Sequence, residues 1–328
     1  MSVNGEKALL VLEGLSKWYA VKSGRFFGKG GKNYIKAVNN VSLSIEQGET
    51  LGVVGESGCG KTTLGRVMIR LLEPTGGKIE FDGKDITRCS EDQMRPLRKD
   101  MQIIFQDPYS SLDPRMTVGD IIAEPFVFQK MYTKAERKEK VRELMDMCGL
   151  DPIYVRRYPH EFSGGQRQRI GIARSLALTP KFMVCDEPVS ALDVSIQSQI
   201  INLLSDLQAK VGLTYVFISH NLNVVYHISN RIAVMYLGHV VELAGREDVY
   251  FRAAHPYTRA LIDSIPKIEF GADPIKAQLK GDLPNPVNLP PGCVFSSRCP
   301  RVRDRCAVEA PALREIAPGH QAACHFTG

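Results

Sequence analysis

The stretch Gly55 to Thr62, GESGCGKT, limits what this chain can fold into more than any other segment. It matches glycine, four residues, then Gly-Lys-Ser/Thr at every fixed position. The run Thr50-Leu51-Gly52-Val53-Val54 before it suits a buried strand, and Thr63 to Leu72 after it has helical apolar spacing. Strand, glycine loop and helix are the context in which such a loop holds phosphate. The glycines let backbone N–H groups converge and put no Cβ in the way, and the helix N-terminus adds partial positive charge. This reading makes Gly55, Glu56, Ser57, Gly58, Cys59, Gly60, Lys61, Thr62 and Thr63 nucleotide-contacting residues. Lys61 can reach the β- and γ-phosphates, and Thr62 offers a hydroxyl to Mg²⁺. The plain alternative is a chance glycine-rich turn, which would not require these flanks.

Composition narrows the setting. The 328 residues allow one large domain or two modest ones, and 44% hydrophobic with 24% charged residues is an ordinary globular balance. No apolar stretch is long enough to span a bilayer, and Glu6, Lys7 and Glu13 make the N-terminus a poor signal peptide, so a cytoplasmic protein is expected. The net charge is +6, but the basic residues, such as Arg156-Arg157, Arg167/Arg169 and the stretch Arg298 to Arg305, are scattered. That pattern favours a mildly basic protein without a nucleic-acid partner.

Along the chain, residues 8 to 21 alternate as a strand, 22 to 36 read as a hairpin or loop, and Ala37 to Ile45 alternate again. Gly76 to Phe81 adds a strand, so an antiparallel β layer is expected beside the nucleotide core. Met101 to Phe105, 181 to 186 and 213 to 219 are further buried-strand candidates, with helical spacing from Val194 to Lys210. Strand alternating with helix points to an α/β fold with a mainly parallel sheet. Residues 107 to about 180 change character and read as a helical insert, with a charged amphipathic helix over Ala135 to Cys148. From about residue 253 prolines accumulate: Pro256, Pro266, Pro274, Pro284, Pro286, Pro290, Pro291 and Pro300. The expected domains are therefore 1–252 and a small loop-rich region, 253–328.

Two more segments carry chemistry. Met183 to Glu187 is an apolar run ending in two acids; Asp186 suits Mg²⁺, and Glu187 could polarise a water attacking the γ-phosphate. Ser163-Gly164-Gly165-Gln166 precedes a helical pattern, with Ser163 as N-cap and the glycines as a second backbone cradle. The string SGGQ followed by RQR, set between the phosphate loop and Asp186, resembles the signature of ABC-transporter ATPases. Over residues 8 to 250 the other stations of that family are similar and in order. Gln106 resembles the Q-loop glutamine beside Mg²⁺, Ser190 to Asp193 the D-loop, His220 the switch histidine, and Tyr19 the aromatic that stacks on adenine. Trp18 competes with Tyr19 for that stack, and each station alone would more often be an ordinary loop or packing residue. Phe162 stands where leucine is commonest in the family.

The resemblance implies a P-loop ABC ATPase core in which two subunits face head to tail. Each ATP then lies between one subunit's phosphate loop and the other's SGGQ loop, with Glu187 and His220 catalytic. Gln106 and the insert, through residues 107 to 116, would carry motion to membrane subunits. The tail, with His255-Pro256-Tyr257-Thr258 and Pro290-Pro291-Gly292-Cys293, resembles the C-terminal extension of oligopeptide, dipeptide and nickel importers, and the 22–36 insert resembles the second ATPase of a dipeptide importer. The implied partners are a paralogous ATPase, two permease subunits and an extracytoplasmic substrate-binding protein, at the cytoplasmic membrane face.

Of the eight cysteines, Cys293, Cys299, Cys306 and Cys324 cluster at the end. A reducing compartment argues against a disulfide framework. Their gaps lack the short pairing that zinc sites favour and suit a [4Fe–4S] cluster better, as the resemblance also implies; zinc and free thiols remain open. The expected function is ATP hydrolysis powering peptide import, with nickel or oligosaccharide as other cargo. A soluble ABC ATPase acting on DNA or ribosomes would need a coiled coil or a second cassette. A metal-sensing regulator would leave the ATPase stations unused.

Overall fold

The computed structural model describes residues 8–21, 33–265 and 284–327. Most of the 22–36 stretch and Pro266 and Pro274 lie outside the described residues; residues 33–36 begin a strand. The described residues contain twelve strands: β1 (Ala8–Val21), β2 (Asn33–Glu46), β3 (Thr50–Val54), β4 (Gly76–Phe81), β5 (Lys84–Asp85), β6 (Met101–Ile104), β7 (Phe182–Asp186), β8 (Thr214–Ser219), β9 (Arg231–Tyr236), β10 (His239–Gly245), β11 (Arg314–Ala317) and β12 (His320–Ala322). The chain divides into two compact units: Met1–Ile45 with Leu51–Arg88 and His220–Gly328, and Glu46–Thr50 with Cys89–Ser219.

In the first unit, one sheet runs β2-β1-β4-β5. β1 and β4 pair antiparallel with Leu10 opposite Phe81 and Leu12 opposite Ile79, all four buried. These period-two positions form the apolar face that the alternation of residues 8 to 21 predicts. The other strands of this unit follow the order β11-β12-β10-β9-β3. β3 lies parallel to β9, while β9 and β10 form a tight hairpin through Leu237 and Gly238, whose φ angles are 43° and 82°. Two consecutive positive φ values match the twist of the flanking strands. The hairpin β11–β12 then adds to β10, with Glu242 opposite Ala322. Antiparallel strands thus extend a sheet for which the sequence suggested mainly parallel pairing.

Glu242 is fully buried and explains part of this arrangement. Its carboxylate accepts from the N–H of Ala254 at 2.7 Å and of His255 at 3.0 Å, and pairs with His320 Nε2 at 2.7 Å. One side chain joins β10, the segment entering the helix Pro256–Asp263, and β12.

The second unit holds β8-β7-β6 in parallel, with Ile104 opposite Cys185 and Cys185 opposite Phe217. β7 and β8 are buried along their whole length, which is why they read as apolar runs without alternation. The helices Val118–Phe128, Lys134–Met147 and Gly164–Leu176 begin at Thr117, Thr133 and Ser163, each accepting a backbone N–H with its hydroxyl. The helix after the glycine loop, Lys61–Met68, stops short of residue 72. Arg70 turns left-handed at φ 56°, and Leu71 and Leu72 donate back to the Arg66 carbonyl. No glycine marks this end, so the apolar spacing overran it. No helix among the described residues is long and apolar enough to cross a membrane.

Glu242→Ala strands three buried donors and should cost about 3 kcal/mol in urea unfolding, whereas Glu242→Gln, which keeps an acceptor, should cost less. Equal losses for the two variants would contradict this role.

Candidate functional site

In the first unit, β3 leads directly into the loop Gly55–Gly60 and the helix Lys61–Met68. The loop's shape excludes side chains at two glycines. A Cβ on Gly55 would lie 2.2 Å from the Met235 carbonyl oxygen, and one on Gly60 only 1.9 Å from that of Ala37. Gly60 also takes φ 107°. The β9–β10 turn braces the loop from outside, with Gly238 N–H donating to the Cys59 carbonyl at 2.8 Å. Lys61 is 4% exposed, and its ammonium donates to the carbonyls of Gly55 at 2.8 Å and Glu56 at 3.0 Å. A buried cation is therefore fixed against the loop backbone, where it can meet a polyanion. Burial raises the pKa of the Cys59 thiol against the opposing charge of Lys61. Cys59 therefore stays a neutral packing residue. Thr62 and Thr63 are half-buried at the helix start.

The tail reaches this loop. Tyr257 accepts the Glu56 N–H on its hydroxyl at 2.9 Å, and Arg298 clamps the Glu56 carboxylate with two nitrogens, at 2.7 and 3.0 Å. Phe295 packs its ring against Tyr236 and Tyr257, with centroids 5.2 and 5.4 Å apart. The His255-Pro256-Tyr257-Thr258 motif gains a physical reading here. His255 Nδ1 caps the helix by accepting from Tyr257 N–H at 3.1 Å, Pro256 starts it, and Tyr257 touches the loop. Burial lowers the pKa of His255 to about 4, so the ring is a neutral acceptor at pH 7. Sequence reasoning marked this motif but missed its contact with the loop, and saw in Arg298 only part of a scattered basic stretch. No spacing rule links residues 242 positions apart.

Trp18 and Tyr19 are similarly exposed, at 37% and 38%. They differ in engagement. The Trp18 indole donates to Asn39 at 3.1 Å and lies under Lys36 at 4.9 Å, while the Tyr19 ring has the Lys17 ammonium 5.3 Å from its centroid. His220 is exposed immediately after β8.

In the second unit, Asp186 ends β7 and is 1% exposed. Glu187 follows with φ 46°, a conformation costly for a residue with a Cβ. Its N–H donates to the Ile218 carbonyl at 3.0 Å, and the Ser190 hydroxyl donates to the Glu187 carbonyl at 3.1 Å. Gln106 Nε2 donates to the Glu187 carboxylate at 3.0 Å. The structure thus brings Gln106, Glu187 and the start of the Ser190–Asp193 segment together. Chemically, a carboxylate held at a strained turn by an amide is suited to orient a water.

Ser163 and Gln166 cap the helix Gly164–Leu176 reciprocally, and both are exposed. Gly165 is required, because a Cβ there would meet Ile196 at 2.5 Å. This helix also holds the segment after Gln106. The Arg167 guanidinium sits 4.1 Å from the Tyr109 ring centroid, and Arg174 donates to the Ser111 carbonyl at 2.7 Å.

The four tail cysteines, with free thiols, line one pocket together with Phe295 and His325. Burial pushes the Cys293 thiol up to about 11, with nearby Cys306, Cys299 and Cys324 adding to it. Among the described residues, no three His, Cys, Asp or Glu side chains are arranged to hold a metal ion.

Gly60→Ala should lower the thermal midpoint far more than Gly58→Ala. The first adds a clash to a left-handed φ, while the second at φ 76° meets nothing within 4 Å. The second should cost only about 1–2 kcal/mol of backbone strain. Equal midpoints would contradict the packed cradle.

Residues 38–190 match the model of the ABC transporter family, and residues 241–306 that of the oligopeptide/dipeptide transporter C-terminal region. The chain is 52% identical to the oligopeptide transport ATP-binding protein AppF of Bacillus subtilis strain 168, over 99% of each. It is also 52% identical to a putative peptide import ATP-binding protein of Brucella ovis, over 97% of this chain and 98% of that one. Among solved structures it resembles the dimeric ATP-binding cassette MJ0796, bound to ADP and Pi after hydrolysis, with TM-score 0.64 and 30% identity over 72% of this chain and 98% of that one. It is likewise similar to cbiO1 from Clostridium perfringens, part of the ABC transporter complex cbiONQ, with TM-score 0.65 and 27% identity over 76% of this chain and 93% of that one. With the glycine cradle and buried lysine, these likenesses place the chain in the ABC transporter family, as an ATPase of that family.

Proposed function

We propose that this chain powers the import of di- or oligopeptides, working at the cytoplasmic face of the cell membrane. The carrying observation is the cradle in which Gly55 and Gly60 exclude any Cβ while Lys61 is fixed at its base. A loop so shaped fits a nucleotide's phosphates. The peptide assignment is supported by the likeness to the oligopeptide transport protein AppF and its Brucella counterpart, and by the C-terminal region shared with oligopeptide/dipeptide transporters. Residues 1–252 are then the ATPase cassette, with the insert at about 107–180, and 253–328 the importer-type extension.

The residues take these roles. In the first unit Gly55 to Thr63 bind the phosphates, Thr62 offers its hydroxyl to Mg²⁺, and Tyr19 stacks on the base. Trp18 is engaged by Asn39 and Lys36, which supports Tyr19 for the stack. In the second unit Asp186 and Gln106 serve Mg²⁺, and Glu187 accepts the proton of the attacking water. The metal, when bound, neutralises charge developing on the phosphate oxygens. Gln106 holds the Glu187 carboxylate, the exchange expected of a residue that couples metal, base and segment 107–116. His220 completes the catalytic set. Ser163 to Gln166 meet the nucleotide of a paralogous partner ATPase. Two permease subunits receive segment 107–116, where Tyr109 is 62% exposed, and a substrate-binding protein delivers the peptide to them.

The proposal extends to the tail, where Cys293, Cys299, Cys306 and Cys324 hold a [4Fe–4S] cluster. Four thiols lining one pocket support it. Such a cluster takes one thiolate per iron, so the ligands need not converge on one ion as zinc requires. Chain prepared without oxygen should contain about four irons. One zinc and no iron would overturn this extension.

Glu187→Gln should keep ATP binding while the turnover of its own site, assayed with the partner's site disabled, falls by about 10² or more, the span of general-base catalysis. Lys61→Ala should instead weaken ATP binding. Unchanged turnover in Glu187→Gln would remove Glu187 from the mechanism.

A further inference from the structure

Glu56, the second residue of the glycine loop, carries three constraints at once. Its carbonyl accepts from Lys61, its N–H donates to Tyr257, and its carboxylate is gripped by both terminal nitrogens of Arg298. The Arg298 side chain is 5% exposed and that of Glu56 23%. Such a shielded two-point pair is set apart from the surface ion pairs of this chain. Those at Arg115–Asp113 and Arg252–Asp248, for example, have arginines that are mostly exposed. Arg298 also donates to the Tyr236 hydroxyl at 3.4 Å, and Tyr236 packs on Tyr257 with centroids 4.7 Å apart. The guanidinium is therefore locked by the same aromatic cluster that seats the tail.

The carboxylate of Glu56 is an awkward neighbour for a phosphate site. Left unmatched, its negative charge would repel a polyphosphate and draw the Lys61 ammonium toward itself. The guanidinium within hydrogen-bond reach of that carboxylate, that of Arg298, comes from the C-terminal extension. We infer that Arg298 is a positioning residue of the nucleotide site. It neutralises Glu56 and fixes the loop backbone, so the affinity of the loop for ATP depends on the seated tail. This rests on the reading of Gly55 to Thr62 as the phosphate site. Cys299 follows Arg298 directly and Cys293 lies just before Phe295, so whatever holds those cysteines in place also holds the clamp. The extension then acts on nucleotide binding without touching the nucleotide.

The test is calorimetric titration of ATP into the full chain and four variants: Arg298→Met, Glu56→Gln, the double variant, and Lys61→Ala. Arg298→Met should raise the Kd for ATP about tenfold, because the Glu56 charge is left unmatched beside the loop. Glu56→Gln removes the charge and should weaken binding less than Arg298→Met does, and the double variant should match Glu56→Gln rather than Arg298→Met, since no charge remains to neutralise. A merely structural arginine would leave the double variant as weak as Arg298→Met, and that result overturns the inference, as does an unchanged Kd in Arg298→Met. Lys61→Ala separates the two levels: unchanged affinity there would refute the phosphate-loop reading itself. If Arg298→Met loses the near-ultraviolet signal of the aromatic cluster, Arg298→Lys carries the test. It keeps the charge but loses the two-point grip, so a loss smaller than about tenfold is expected and a loss of about tenfold or more overturns the inference.

Discussion

A buried ammonium organises the first unit. Removing a cation such as Lys61 from water costs several kcal/mol unless polar groups replace the lost hydration. Here the Gly55 and Glu56 carbonyls do so, and they can turn inward only because the loop adopts conformations that exclude side chains at Gly55 and Gly60. Those conformations depend in turn on their surroundings. Ala37 of β2 and Met235 of β9 close against the glycines, and the β9–β10 turn holds the Cys59 carbonyl. Two sheets therefore converge on one loop, and the tail adds a third support through Tyr257 and Arg298. The burial of one charge couples elements spread over most of the chain's length.

The second unit is arranged around strain rather than buried charge. Glu187 occupies a left-handed conformation that only its neighbours maintain, through the Ile218 carbonyl and the Ser190 hydroxyl. Strain of this kind persists where the surrounding structure over-determines it, and it is concentrated at functional turns. The Gln106 contact gives that turn a direct mechanical link to the segment 107–116, which the helix Gly164–Leu176 holds through Arg167 and Arg174. Within this unit the Glu187 carboxylate, Gln106 and the exposed cap at Ser163 belong to one connected set of contacts.

What the sequence revealed follows from range. Residues 50 to 62 were legible because strand, loop and helix are contiguous and the glycines answer a local steric demand. The cap at Ser163 and the buried strands β7 and β8 were legible for the same reason. The helix end at Met68 was not, because it depends on a left-handed Arg70 rather than on a glycine. The pairing of β10 with β12 and the buried Glu242 were also hidden, since they join segments 78 positions apart. Arg298 was noticed only as part of a scattered basic stretch. Its role appears when packing sets it against Glu56, which no local pattern encodes.

In the proposed mechanism the nucleotide's phosphates sit on Gly55 to Thr63, while Ser163 to Gln166 are completed only by a second ATPase. Amide hydrogen exchange with and without Mg-ATP tests both halves in one measurement. In the isolated chain, ATP should slow exchange at residues 55–63 and leave 163–168 unchanged; in the assembled transporter both stretches should slow. Protection at 163–168 in a chain shown to be monomeric, or none at 55–63, would contradict the account.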